Sequence, residues 1–214
     1  MVIKMTREEW LEERKKGIGG SDAAVIVNKN PYPNRNTILL WEEKTRRRET
    51  PDISDNPYVK YGTEMEAILR ESFRIKNPKY EVYHEEYSII RHPKYPFLFA
   101  SLDGTLVDKE TGEIGVLEIK TSSMKNSSAQ EKWKENIPDH YFCQVLHYLN
   151  VTGYSFAKVF AELNYGEDYQ ATRTYTITRA NFEEDIKYLE KEEIRFWKEY
   201  VEKDIRPPLL IPEF

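Results

Sequence analysis

Glu118-Ile119-Lys120 closes the apolar segment Ile114-Gly115-Val116-Leu117. Alternate side chains of a strand share a face, so Glu118 and Lys120 point the same way while Ile119 enters the core and leaves its carbonyl beside them. Asp103 lies upstream, at the end of a second apolar stretch, Phe97-Leu98-Phe99-Ala100-Ser101-Leu102. Two strands joined by a turn bring Asp103 next to Glu118. Carboxylates that close repel, and in a half-buried site one takes up a proton unless a cation intervenes. Hard oxygen ligands with room for water suit Mg²⁺, with Mn²⁺ as a substitute. A metal held there polarises a phosphoryl oxygen and acidifies a bound water, while Lys120 orients that water or steadies charge on the phosphate. Such a set is complete for phosphodiester hydrolysis. The alternative is an ion pair on an edge strand, worth ~0–1 kcal/mol. The same Glu-x-Lys spacing at Glu13–Lys15 and Glu42–Lys44 falls in polar helical stretches and reads as solvated faces.

Two further polar residues fall on helices. Tyr61, Met65, Ile68, Leu69 and Phe73 recur at three- and four-residue spacing, which predicts an amphipathic helix over 58–76. Glu66 sits on it near Gly62, as a further acidic ligand or as one more exposed helix glutamate. Gln144 lies within the apolar helical stretch 141–151, as a site residue or as a core amide with a partner.

The elements that position these residues follow from pattern. Thr6 and Glu9 form a capping box for a helix to about Lys16. Gly17-Ile18-Gly19-Gly20 reads as a turn, with Ser21-Asp22 opening a second helix to Val27 and Asn36 or Thr37 capping a third. Residues 46–57 read as a loop. Strands are expected at 81–90, 97–101, 105–108, 116–121, 155–163 and 170–177, the last two as a hairpin around Asn164-Tyr165-Gly166-Glu167. A final helix is expected over 181–203, with Ile186, Leu189, Ile194 and Trp197 as its buried stripe. Helices, a strand meander, a helix, a hairpin and a helix predict an α/β fold, a mixed central sheet packed between helices in a single domain over 1–214.

Composition narrows the class. The 214 residues carry 32 basic and 37 acidic side chains, a net charge of −5, which excludes a strongly basic nucleic-acid coat but not a local cationic face. Hydrophobic residues at 39% supply a core, and no run approaches the ~20 apolar residues of a membrane helix. The opening MVIKMTREEW lacks an apolar leader. Cys143 is the single cysteine, so an intrachain disulfide and a Cys-rich metal site are excluded. A cytoplasmic protein with no membrane partner is expected.

Ordered blocks along the chain carry a family resemblance. Arg14-Lys15-Lys16-Gly17-Ile18-Gly19-Gly20-Ser21-Asp22-Ala23-Ala24, Tyr61-Gly62-Thr63-Glu64-Met65-Glu66, Ala100-Ser101-Leu102-Asp103-Gly104, Leu117-Glu118-Ile119-Lys120-Thr121 and Ile137-Pro138-Asp139-His140-Tyr141-Phe142-Cys143-Gln144-Val145 resemble the YqaJ-type viral recombinases, relatives of phage lambda exonuclease. The closing Phe196-Trp197 and Pro207-Pro208 also fit, so the likeness spans about 14–208. Leu102 stands where a proline is common before the acid, a change of backbone shape without chemical consequence.

The resemblance implies a restriction-endonuclease-like core at about 58–178, with amino-terminal helices over 6–45 and a carboxy-terminal helix over 181–203. It implies a two-Mg²⁺ deoxyribonuclease that digests one strand of duplex DNA from the 5′ end and leaves a 3′ single strand. The expected assembly is a homotrimeric ring that works beside a phage single-strand annealing protein inside the bacterial host. By motif, Asp103, Glu118 and the Ile119 carbonyl hold one metal, and Glu66 with Asp103 serves the second. Lys120 attends the water, Gln144 positions water or phosphate, and Arg14 and Ser21 grip the terminal 5′ phosphate. Rival readings are an endonuclease of the same fold and an inactive DNA-binding accessory. His140 and His147, without a third partner, do not predict a zinc site. Arg46-Arg47-Arg48 is a minor DNA-contact candidate.

Overall fold

Thr6 starts the first helix as its spacing from Glu9 predicts. Its hydroxyl accepts from the Glu9 amide at 3.2 Å while its own amide donates to the Glu9 carboxylate at 2.8 Å, opening α1 (Arg7–Lys15). The chain's structure, a computed structural model, describes residues 5–166 and 169–209. Residues 1–4 of the leader reading and Glu167 of the expected hairpin turn lie outside the described residues. After α1 come α2 (Gly20–Ile26), α3 (Thr37–Lys44) with Asn36 as its cap, and α4 (Pro57–Lys76), which has Asn56 at its cap and proline in its first turn. The strands are β1 (Tyr80–Tyr83), β2 (Ile90–Arg91), β3 (Phe99–Ala100), β4 (Gly104–Asp108) and β5 (Ile114–Ser123). Then follow α5 (Ser127–Lys132), α6 (Asp139–Thr152), β6 (Phe156–Asn164), β7 (Gln170–Thr178) and α7 (Glu183–Arg195).

Five strands make one mixed sheet in the order β1-β4-β5-β6-β7. Only β5 and β6 run parallel, and α6 lies in the crossover that a parallel pair requires. The alternation along β5 divides the interior. Leu117 and Ile119 join Leu69 and Phe73 of α4 with Phe156 and Phe160 of β6 on one face. Val116 joins α2, α6 and α7 in the larger core on the other. At Gly62 a Cβ would stand 3.3 Å from Thr121 Oγ1, so α4 crosses close to the far end of β5. Among the described residues no helix is long and apolar enough to cross a membrane.

Several expectations are corrected. The strand over 81–90 stops at Tyr83, because β4 offers only five residues to pair with and Tyr87 takes a left-handed φ of 52°. The 97–101 segment shortens to β3, which pairs with β2 in a separate two-stranded ribbon. Gly17–Gly20 is no simple turn. Ile18 forms a parallel bridge to Leu98, and a Cβ on Gly17 would meet the Phe97 carbonyl oxygen at 2.2 Å. The last helix is not continuous: a 3-10 turn (Arg179–Phe182) precedes α7 and a π-helical turn (Phe196–Val201) follows it. Within α7, Glu193 and not Ile194 takes the fully buried place. The short α5 has no counterpart among the expected elements.

Candidate active site

The β4–β5 hairpin decides where the acids meet. Gly104 pairs with Leu117, so Asp103, in the bend just before β4, stands opposite Glu118. The sequence placed Asp103 at the end of the preceding strand; it is presented instead by the start of β4. Its Oδ2 accepts from the Ile119 amide at 2.7 Å. The amide and carbonyl of one strand residue leave on the same edge, so the Ile119 carbonyl also faces the gap beyond β4.

Glu118 is 1% exposed, on the face turned to α6. Its Oε1 accepts from Lys120 Nζ at 2.5 Å and from Gln144 Nε2 at 2.7 Å, and the same Gln144 nitrogen lies 2.9 Å from the Tyr148 hydroxyl. Glu118 Oε2 is buried with no hydrogen-bond partner. Burial, then repulsion from Glu118, holds the Asp103 carboxyl well above the usual carboxylate range. Burial also raises Glu118, against the pull of Lys120. Burial alone would depress the Lys120 ammonium, but Glu118 and Asp103 override it and keep the group charged. Lys120 thus stands as a cation beside the two carboxylates.

Glu66 on α4 comes to the same rim, with Oε1 2.8 Å from Arg70 Nη1. That nitrogen also donates to the Asp103 carbonyl at 2.6 Å. With Glu66 turned to Arg70, no three acidic, imidazole or thiol groups among the described residues form a ready ligand cluster. Two carboxylates, one of them with an orphaned oxygen, beside a strand-edge carbonyl still fit a hard dication that keeps several waters. Arg70 was not singled out from sequence. Its signal was the four-residue step from Glu66, as Tyr148 is four from Gln144.

Ser21 follows Gly20 on α2, which packs against α6, and Arg14 lies in the last turn of α1. The Arg14 guanidinium stacks 4.3 Å over the Trp10 ring and has no ion pair among the described residues. Trp10 Nε1 donates to Ser101 Oγ at 2.9 Å, two residues before Asp103. Ser21 is exposed and does not cap its helix; Gly19 is the cap, its amide bonded to Asp22 Oδ2 at 3.1 Å. Gly20 packs so tightly that a Cβ would fall 2.6 Å from Tyr148 and 2.8 Å from Gln144. Gly20→Ala is expected to displace Gln144 from Glu118 and slow turnover by about tenfold or more, although alanine is the better helix former. Steady-state kinetics with a DNA-binding control reads this, and parental turnover would show that the Gln144 amide needs no such placement.

The profile of the YqaJ-like viral recombinase domain matches residues 9–155. The chain belongs to that family. All the blocks from Arg14 to Gln144 fall inside the match. The chain is 35% identical over 198 residues to the uncharacterized protein YqaJ of Bacillus subtilis (strain 168), covering 92% of this chain and 57% of that protein. It thus spans little more than half the length of that curated relative. Among solved structures it is similar to an alkaline exonuclease, LHK-Exo, from Laribacter hongkongensis, with TM-score 0.66, 23% identity and coverage of 92% and 93% of the two chains. A phage related exonuclease from Haemophilus somnus 129PT matches with TM-score 0.57 and 13% identity over 88% and 96%. At those identities the likeness is one of fold: a single mixed α/β domain whose sheet is flanked by helices, as the sequence predicts.

The remaining candidates resolve differently. Arg47 is exposed but pairs with Asp204 at 2.6 Å and stacks on Trp41, so the middle of the Arg46–Arg48 run is engaged by the chain's own surface groups. His147 is completely buried between Glu193 and the Phe99 carbonyl, while the His140 ring lies tilted against Tyr141 and its pKa is lowered to about 4 by burial and by Lys120. Lys44, expected on a solvated face, has a side chain only 8% exposed.

Proposed function

We propose that this protein is a Mg²⁺-dependent 5′→3′ exodeoxyribonuclease that digests one strand of linear duplex DNA and leaves a 3′ single strand for annealing recombination. The observation that carries the reading is the buried Asp103–Glu118 pair, with an orphaned Glu118 oxygen and Lys120 alongside. Asp103, Glu118 and the Ile119 carbonyl would hold one Mg²⁺, and Glu66, once released by Arg70, would share a second with Asp103. When bound, the metal supplies Lewis acidity at the phosphoryl oxygen and a more acidic water.

The chain's own groups do the rest. Lys120, held as a cation, faces the negative charge that grows as the water oxygen bonds to phosphorus and the bond to the 3′ oxygen breaks. Gln144 fixes Glu118 from α6. Arg14 and Ser21 grip the 5′ phosphate, the guanidinium by charge-assisted bonds and the hydroxyl by donation. With a net acidic chain, local Lys and Arg would hold the duplex by its backbone, without sequence readout. A homotrimeric ring around the duplex, a phage annealing protein as partner and a place in the host cytoplasm belong to the same proposal, on the strength of family membership; the mass in solution tests the ring.

The deciding assay offers 5′-phosphorylated linear duplex and covalently closed circular duplex, each with Mg²⁺ or with chelator. Mononucleotides should be released from the linear DNA alone and only with Mg²⁺, and Lys120→Ala should lower that rate about 10²–10³-fold. Nicking of the closed circle would point to an endonuclease. No metal-dependent release would leave a DNA-binding accessory.

A further inference from the structure

We propose that Lys44 is the positioning residue that sets the distance between Arg14 and Ser21 and so determines how well the protein tells a phosphorylated 5′ end from a hydroxyl one. The inference rests on the reading of Arg14 and Ser21 as the 5′-phosphate grip. A lysine ammonium withdrawn from water is costly unless its donors are used. Lys44 Nζ lies 2.7 Å from Asp22 Oδ2 and donates to the Arg14 carbonyl at 3.3 Å. One nitrogen therefore joins the last turn of α1 to the first turn of α2, the two segments that carry Arg14 and Ser21.

The surroundings make the link a fixed one. Asp22 is itself nearly buried, and it accepts from Gly19 at 3.1 Å and from Arg35 Nη2 at 3.0 Å. Arg35 reaches Glu43 with its other terminal nitrogen at 3.2 Å. Two cations thus face two carboxylates, and the network closes on itself. It leaves the Arg14 guanidinium outside, stacked on Trp10 and free of any carboxylate among the described residues. Burial would raise the Asp22 carboxyl, yet Lys44 and Arg35 hold it down at about 2, so the tie persists at every pH where the protein would work. The Ile18–Leu98 bridge pins the chain between the two segments but touches neither Arg14 nor Ser21. Among the described residues, Lys44 is the side chain that bonds to both segments.

The test compares binding of duplexes with 5′-phosphate and 5′-hydroxyl ends by fluorescence anisotropy in chelator, where no cleavage occurs, and then their cleavage kinetics with Mg²⁺. The parent should favour phosphorylated ends, and Arg14→Ala should abolish the preference. Lys44→Met, which keeps the length of the side chain and loses the ammonium, should reduce the preference about five- to tenfold. The loss should fall on KM for phosphorylated ends more than on kcat, and Lys44→Arg should restore part of it. Asp22→Asn, which can still cap Gly19, is the milder variant should Lys44→Met fail to fold, and it should lower the preference in the same direction. Parental preference in a folded Lys44→Met or Asp22→Asn protein, with Arg14→Ala still effective, overturns the role of Lys44 and leaves the phosphate grip standing. A parent blind to the 5′ phosphate overturns the grip itself, and Lys44 with it.

Discussion

Asp103→Asn is expected to abolish cleavage and to make the metal-free protein more stable. The asparagine oxygen can still accept from the Ile119 amide, as Asp103 Oδ2 does at 2.7 Å, so the bend before β4 keeps its anchor. What disappears is one of two buried charges that burial and mutual repulsion drive toward protonation. The contribution of a carboxyl whose folded pKa is raised is fully present below its unfolded value near 3.8 and is lost as pH rises through the folded value. At neutral pH Asp103 is therefore a liability in the absence of metal. Its removal should gain roughly 1 kcal/mol, or about 2–4 °C in melting temperature for a chain of this size. Added Mg²⁺ should raise the melting temperature of the parent and not that of the variant, since only binding to the native state stabilises. Turnover should fall by about 10³-fold or more. Thermal unfolding in chelator and in Mg²⁺, beside a cleavage assay, reads all three. A variant less stable than the parent in chelator, or one with near-parental turnover, removes Asp103 from the centre of the site.

The second large effect lies in the interior. His147 and Glu193 are both 0% exposed, with Nδ1 at 2.7 Å from the carboxylate and Nε2 at 2.8 Å from the Phe99 carbonyl. A carbonyl only accepts, and a neutral imidazole has a single N–H, so satisfying both contacts with an ionised Glu193 requires the imidazolium. Burial would lower its pKa, but Glu193 and the Phe99 carbonyl outweigh burial and raise it above 6.5. The sign follows: the stabilisation is complete below about 6.5 and fades as pH climbs through the raised folded value. His147→Ala leaves Glu193 buried and unpaired and should cost about 3–5 kcal/mol. Glu193→Gln offers an amide that can donate to a neutral Nδ1 while Nε2 still serves Phe99, so it should flatten the alkaline loss of stability. Denaturant unfolding at pH 6, 7.5 and 9 distinguishes them. Equal pH slopes for parent and Glu193→Gln would show that the pair does not titrate as described.

Much of this arrangement could be read from local pattern, because the causes are local. The Thr6–Glu9 box, the apolar spacing of α4 and the alternation along Val116–Lys120 each act within one element, and the hairpin turn near Lys109–Glu113 brings Asp103 to Glu118. What escaped the sequence depends on partners far along the chain. Lys44 reads as solvated because Asp22 is on another helix, and Glu193 falls outside the expected buried stripe because its histidine is 46 residues away. The Gly17–Gly20 stretch looked like a plain turn because nothing in it announces the Phe97 backbone that demands its glycine. The strand expected over 81–90 failed for want of a neighbour, not of β-forming residues.

Trp10 joins both ends of the proposed reaction. One face of its ring lies under Arg14, and its N–H is fixed to Ser101, which in turn donates to the Ser88 carbonyl at 2.9 Å. The indole is rigid, and the segment from Ser101 to Asp103 is short. A phosphate on the guanidinium, as proposed for Arg14, would thereby be set at a constant offset from the carboxylates, as on a ruler with one graduation. The length of each released fragment would then be dictated by an aromatic spacer, independent of base identity and of how fast the duplex is fed in.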